Sequence, residues 1–488
     1  MLKRIIVHLG VLLTVGLLVA VVSVSADEDA SSQRVFVPAV HYQSTPCHAT
    51  VNPGQSIQAA INASQSGQTI CVRAGTYREQ VVIRPSKSGI TVMAYPGERP
   101  VIDGEHRRPE SEYAGLVHIT GSRIVFDGFE VRNSARLGLV VYQPNPTSPP
   151  LEDVIVRNST IAGSMKSGII VTGMNDVYPR NVVIENNIVH SNVMQNLTGT
   201  GPGTAVGFVK VVNSVARGNH IFHNHGEGLV SDRWAAHTTF EDNVLYDNKK
   251  VSLYLNNTQY PLVQRNLVFC TDDRDYWGGP PDRRDAGAGF HLRDEDYSSL
   301  GTVPPRSTGQ VIINNIIVGC GHNFVIDSYV PGGGLNNALV ANNTFVNVRG
   351  DNYHYVGNVI LSGAASYNNS RFLNNLILQA TPGTIAAVLT THATPDLSTF
   401  SLAHNLYSKA THPNHIWPTN EPGRLIADPM LINPVWPTKG TMPNPANYGL
   451  RAGSPAINAG VPLQVVTTDF FGRPRSGAPD IGAIEFSP

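Results

Sequence analysis

A chain of 488 residues with 35 Lys and Arg against 36 Asp and Glu carries a formal charge of −1, so no overall field draws it to nucleic acid or to an anionic membrane. Only 15% of the residues are charged, while Gly (45) and Pro (34) are plentiful, which excludes a fold built mainly from solvated helices. A compact protein of this length would divide into several cores, whereas a solenoid grows by addition and stays one domain.

At the amino end, Lys3 and Arg4 precede an apolar run from Ile5 to about Val24, and Val24-Ser25-Ala26 leads into the acidic DEDA. Small residues before the cut predict a signal peptide over 1–26, with 27–47 as a linker. The competing reading is an uncleaved anchor, because the run approaches the ~20 residues that span a bilayer. No second apolar span follows, so the mature protein is expected to be a monomer, secreted or at the cell surface, without a membrane partner. All four cysteines, Cys47, Cys71, Cys270 and Cys320, lie beyond the signal. An even count in an exported chain favours disulfides, and chain order suggests Cys47 with Cys71 and Cys270 with Cys320, among three connectivities.

The segment VNPGQSIQAAINASQSGQTICVRAGTYREQVVI reads as a strand, a short amphipathic helix over about Ser56 to Ala63, and further strands around Cys71 and Val81. Such a helix would cover the open apolar end and strand edge of a first coil. A phrase then recurs: apolar residues, a polar pair ending in Asn, and three more apolar positions. Its Asn falls at 187, 219, 243, 266, 315, 343, 375 and 405, as in IENNIVHSN, FEDNVLYDN and VANNTFVNV. A repeat of this length, rich in β-branched residues, is that of stacked short strands, where each turn buries its apolar face only against a neighbour. Asn tolerates the left-handed backbone of a tight turn, and stacked Asn side chains can hydrogen-bond from coil to coil. The one long interval, Asn266 to Asn315, holds a segment over 271–308 that interrupts the repeat, with Cys270 and Cys320 at its base.

With the phrases PGQSIQAAI, GTYREQVVI and VIDG in view, the chain resembles the exported right-handed parallel β-helix proteins of the broad pectate-lyase-like superfamily over roughly residues 48 to 410. The expected fold class is all-β: a single-stranded right-handed parallel β-helix over 48–424, with a capping helix at its start. Residues 425–488, rich in Gly and Pro, resemble the carboxyl-terminal module of many secreted bacterial β-helix proteins and are expected to close the far end of the solenoid. Asp469, Arg473, Asp480 and Glu485 there are read as turn and salt-bridge residues.

A second set of strands, LGLVVYQ, SGIIVTG, EGLVSDR, VSLYLNN, AGFHLRD and NFVIDSY, carries the candidate chemistry. Alternation turns Tyr142, Thr172, Asp232, Asn256, Arg293 and Asp327 outward, on coils ~4.8 Å apart. Tyr254 and His291 stand earlier on their strands, Arg233, Asn257 and Asp294 later, while Lys210 could join the row and HNHGEGL adds His223, His225 and Glu227. The plain alternative is a solvated sheet face.

Three chemistries fit such a row. In β-elimination of an acidic polysaccharide, Lys210, Arg233, Arg293 or His291 would supply base and clamp, with Glu227, Asp232 and Asp294 as possible Ca²⁺ ligands. In glycoside hydrolysis, two of Asp232, Asp294 and Asp327 would flank the bond. In binding without turnover, Tyr254, Trp234 or Trp277 would stack on sugar rings. Asn256, Tyr254, Asp327, Trp234 and His225 are the expected substrate contacts. Named branches of the superfamily do not match: polygalacturonase-like hydrolases show NTD, DD, GHG and RIK, whereas here Asp272-Asp273 lies in the interrupting segment, GHN begins at Gly321 and RIK is absent. The RxPxxR segment of pectate lyases is also missing. Elimination is placed slightly ahead of hydrolysis because Arg and His accompany the carboxylates, and a noncatalytic surface rod is the rival.

Overall fold

In the computed structural model the described residues are 47–487, apart from 145–148, 175, 198–202, 280–283, 302, 350–356, 380–385, 392–393 and 409–420. The expected signal peptide and all of the linker except Cys47 lie outside them.

Each turn of the chain lays down three strands. One coil consists of Thr239–Glu241 in sheet 1, Val244–Tyr246 in sheet 2 and Val251–Asn256 in sheet 3. Every strand pairs in parallel with its equivalent one coil on, as in Thr239 with Leu262, Val244 with Leu267 and Leu253 with Phe290. Among the described residues this gives sheets of 13, 13 and 11 strands, a right-handed parallel β-helix. The interior is filled by Phe126, Phe208, Phe240, Phe290, Phe324 and Phe345 together with Val, Ile and Leu from all three sheets.

Between sheets 1 and 2 the strands of three residues are joined by a two-residue turn, and this turn explains the repeated Asn. Its first residue is left-handed: Asn186, Asp242, Asn314, Asn342 and Asn374 have φ of 54, 57, 55, 52 and 56°, and Gly218 has 63°. Its second residue is the repeated Asn, fully buried and pointing inward. The left-handed backbone expected at the repeated Asn therefore falls one residue earlier, where short polar side chains or Gly tolerate it best. Asn219 shows the ladder's bonding. Its Oδ1 accepts the backbone N–H of Asn187 at 3.0 Å and its Nδ2 at 3.1 Å, while its own Nδ2 donates to Ile184 O at 2.8 Å and Asn243 Oδ1 at 2.9 Å. The pattern repeats to Asn405, where the Glu421 carboxylate takes the last amide. A second ladder, absent from the sequence reading, runs through Asn192, Asn224 and Asn248 at the turns that lead into sheet 3.

The helix Ile57–Ala63 buries Ile57 and Ile61 in the core beside Val51 and Val81. Ser56 caps it by accepting from Ala59 N, and the Glu79 carboxylate takes the N–H groups of Ile57 and Gln58 at 2.7 and 3.1 Å. Cys47 is bridged to Cys71 and Cys270 to Cys320. The second bridge staples two neighbouring coils, following strands paired Phe269 to Val318.

The segment over 271–308 contains the expected strand AGFHLRD as the sheet 3 strand Ala288–Asp294, which divides it into a loop before and a loop after. One expectation is corrected: Leu425–Ile426 adds a last strand to sheet 2, but from Leu431 on the described residues of the carboxyl-terminal segment pack along the flank rather than across the end. Leu431, Tyr448, Leu450, Ile481 and Ala483 cover the outward side chains Leu267, Phe269, Ile316, Val318, Leu376 and Leu378 of sheet 2. The uninterrupted apolar triplets LVF, IIV and LIL carry the signal for this, since a strand covered on both faces loses its alternation. Asp469 binds Arg473 at 2.6 Å and Glu485 binds Arg475 at 2.5 Å within the same segment.

Replacing Asn219 by Ala strands two inward N–H groups of Asn187, at an expected cost of roughly 2–4 kcal/mol, whereas Asn186→Ala at the exposed left-handed position should cost about 1 kcal/mol. Thermal melting of the two variants, compared side by side, checks the ranking.

Candidate active site

Parallel register sets the outer face of sheet 3. It aligns Tyr142, Thr172, Val209, Asp232, Asn256, Arg293 and Asp327 in one row, with Val209 on the coil that carries Lys210. Two residues earlier on each strand a second row runs Gly207, Val230, Tyr254, His291 and Val325. Leu229, Leu253 and Leu255 between them are buried in the core, so alternation holds across the middle coils.

The strand Ala288–Asp294 leads into Glu295 and Tyr297, which fold back over this face. Asp232 Oδ1 accepts from Asn256 Nδ2 at 3.0 Å and meets the Tyr297 hydroxyl at 3.2 Å, while its Oδ2 accepts from Arg233 Nε at 2.8 Å. The same hydroxyl lies 3.0 Å from Glu295 Oε2 and accepts from Asn256 Nδ2 at 2.6 Å. Glu295 Oε1 accepts from the Tyr254 hydroxyl at 2.8 Å, and its backbone N–H donates to Asn257 Oδ1 at 2.9 Å. The Arg233 guanidinium sits 5.0 Å from the centre of the Tyr297 ring.

The protons of this group can be counted. Tyr297 has one hydroxyl proton and two carboxyl groups against its oxygen, so it donates to only one of them. The second contact becomes a hydrogen bond when a carboxyl carries a proton. The electrostatics favour that state. Burial pushes Asp232 up to about 6, with Glu295 adding to the rise and Arg233 opposing it. Burial likewise pushes Glu227 up to about 7, against the pull of Lys250. Burial raises Tyr254 and Tyr297 above the ordinary phenol value, so both stay protonated donors. Burial, then Arg293, holds His291 well below its usual value, and Nε2 of this neutral ring has no hydrogen-bond partner.

The remaining predicted residues divide by place. Arg293 Nη2 binds Asp327 Oδ2 at 2.7 Å, and its guanidinium lies 4.2 Å from the centre of the exposed Tyr329 ring. Lys210 and Trp234 are left-handed residues just past their strands, with the Lys210 ammonium 4.7 Å from the Trp234 ring, on the margin of the row. Glu227 and His225 lie at the opposite end of the strand, the latter roughly 20 Å from Asp232. His225 is half-buried beside Tyr276, and burial lowers it to about 4.

Asp294 is not a surface ligand. It is fully buried, and its carboxylate accepts from Asn257 N, Ser307 N, Ser307 Oγ and Gly334 N, which anchors the loop after the strand. The Ca²⁺ trio of Glu227, Asp232 and Asp294 is therefore not assembled. Among the described residues no group of three or more His, Cys, Asp or Glu side chains is placed to hold a metal ion. Trp277 is no sugar platform either, because it packs on the Cys270–Cys320 bridge with its indole N–H donated to Thr271 O at 3.1 Å. Glu295 and Tyr297 were missed. Their only sequence signal is the polar run EDY directly after AGFHLRD.

A family model for the right handed beta helix region matches residues 114–294. Among solved structures, pectate lyase Pel9A is similar at 18% identity and TM-score 0.52, over 91% of this chain and 97% of that one. XylC in complex with xylose is similar at 13% identity and TM-score 0.54, over 90% and 98%. At these identities the likeness is one of fold. No curated protein sequence matches the chain.

Because Glu227 is held above the ordinary carboxylate range, the folded protein binds more protons than the unfolded chain between that range and about 7. Its contribution to stability is thus present at acid pH and lost as pH rises through about 7. Denaturation midpoints against pH should fall across this window and flatten in Glu227→Gln.

Proposed function

We propose that the protein is an exported enzyme that cleaves glycosidic bonds in a polysaccharide, by hydrolysis with Asp232 as the acid and Glu295 as its carboxylate partner. The observation that carries this reading is the Asp232–Tyr297–Glu295 bridge. Contacts of 3.2 and 3.0 Å that meet at one hydroxyl oxygen hold the two carboxyl oxygens at most about 6 Å apart, close to the ~5 Å separation of a retaining pair. Asp232 can give its proton to the leaving oxygen, and Arg233 then balances the charge left behind. Glu295 acts on the sugar carbon directly or through water, while Tyr254 and Tyr297 hold it in place. Two disulfides joining all four cysteines support a site of action outside the cytoplasm.

A second reading, β-elimination on a uronic acid polymer, rests on the neutral His291. Its unpartnered Nε2 is available as a base, and Arg293 beside it can grip a substrate carboxylate. Purified protein incubated with acidic and neutral polysaccharides separates the readings. Reducing ends without ultraviolet absorbance indicate hydrolysis, absorbing unsaturated ends indicate elimination, and neither indicates a binding protein.

For hydrolysis, Asp232→Asn and Glu295→Gln should each lower kcat by ~100-fold or more with little change in melting temperature, and Arg293→Ala should do less. Activity should decline as pH rises past about 6, where Asp232 gives up its proton. If Arg293→Ala and His291→Ala abolish turnover while the carboxyl variants retain it, elimination is the reaction.

A further inference from the structure

A second concave feature lies outside the cluster just described. The loop over 104–114 and the turns of the next coils frame an open pocket of about 460 Å³ lined in part by His106, Arg107, Glu110, Arg136, Met165 and Gln195. Backbone bonds hold it together from coil to coil: Ala135 N to Arg108 O at 2.8 Å, Met165 N to Ser134 O at 3.0 Å and Gln195 N to Met165 O at 2.9 Å. The same line of turns continues to His225, whose carbonyl accepts from Asn196 Nδ2 at 3.1 Å. The cavity thus lies at the edge where the turns enter sheet 3, the end of its strands away from Asp232, and roughly 14 Å back along the axis by coil spacing.

On the outer faces of sheets 1 and 2 several arginines are paired coil to coil, Arg132 with Asp103, Arg157 with Asp127, Arg180 with Glu152 and Arg217 with Glu185. Arg107 and Arg136 have no ion-pair partner among the described residues, and Arg136 Nε is buried without a hydrogen-bond acceptor. Glu112, whose charge is felt by Arg136, is held by Lys166 at 2.5 Å, so the carboxylate lining the cavity is Glu110 alone. Tyr113, on the same loop and 77% exposed, has the ammonium of Lys166, next in the chain to Met165 of the lining, 5.6 Å from its ring.

We propose that this cavity is a binding subsite for a carboxylate-bearing sugar residue of the polysaccharide. Two guanidinium forks without protein acceptors suit a carboxylate, which each can hold through paired N–H groups. Met165 and the Tyr113 ring offer apolar surface to the sugar face. The identity of the ligand rests on the reading of the sheet 3 face as a glycan site, and the subsite makes the substrate an acidic polymer even though the cleavage cluster carries carboxyl groups.

Calorimetric titration of the full chain with tri-galacturonate and with its methyl ester tests this. Wild type should bind the acid at least ~10-fold more tightly than the ester, with affinity falling as salt rises. Arg107→Ala with Arg136→Ala should lower acid binding ~10-fold or more, while Asp232→Asn should leave it unchanged. Arg107→Glu, on an exposed loop, gives the same loss without touching a buried group. Equal binding of acid and ester, no binding, or binding lost in Asp232→Asn and kept in the arginine variants overturns the subsite. In the last case the glycan reading of the sheet 3 face survives. Acid binding that depends on the arginines in a protein without turnover retains the subsite and removes the proposed hydrolysis.

Discussion

Every feature of this molecule that bears on chemistry depends on the buried Asn ladder. An inward amide between three-residue strands is costly unless both donors and its acceptor are satisfied, and between Asn187 and Asn405 the next coil does this by presenting the same amide at the same height. The ladder therefore forbids slippage between coils. A slip of one residue would turn every inward side chain outward, and Asp232, Asn256 and Arg293 would no longer form a row.

Upon that rigid register the site is completed by an element that does not repeat. Asp294, buried and fully hydrogen-bonded, fixes the start of the segment that brings Glu295 and Tyr297 over the row. The division of labour is physical. The solenoid supplies Asp232, Tyr254 and Asn256 at set spacing, and the loop supplies the second carboxyl and the phenol that links the two. The loop also covers the polar groups, and this burial accounts for the raised proton affinity of Asp232.

Residues governed by periodicity were legible in the sequence, and those governed by a single fold-back were not. The Asn spacing and the outward row follow from repetition, which any coil reports about the next. The left-handed position was placed one residue late because Asn stands at both turn positions in IENN, INNI and LNNL, and sequence cannot tell which of two adjacent Asn bends the backbone. Asp294 was read as a ligand because alternation ends with its strand and says nothing of where the next side chain points. Glu295 and Tyr297 lie just beyond that limit. The carboxyl-terminal segment was assigned to the end of the solenoid although the apolar triplets LVF, IIV and LIL already recorded a covered flank.

The central claim is that Asp232 and Glu295 act together on one glycosidic bond at the outer face of sheet 3. The most direct measurement is a crystal structure of the Asp232→Asn variant soaked with an oligosaccharide fragment of a polymer that the wild-type protein is found to cleave. The account predicts a sugar chain across the row, with a glycosidic oxygen within hydrogen-bond reach of the side chain at position 232 and Glu295 facing the adjoining sugar carbon. A chain bound to another sheet, or one lying along the Arg293–Asp327 pair with no contact to either carboxyl position, would contradict it.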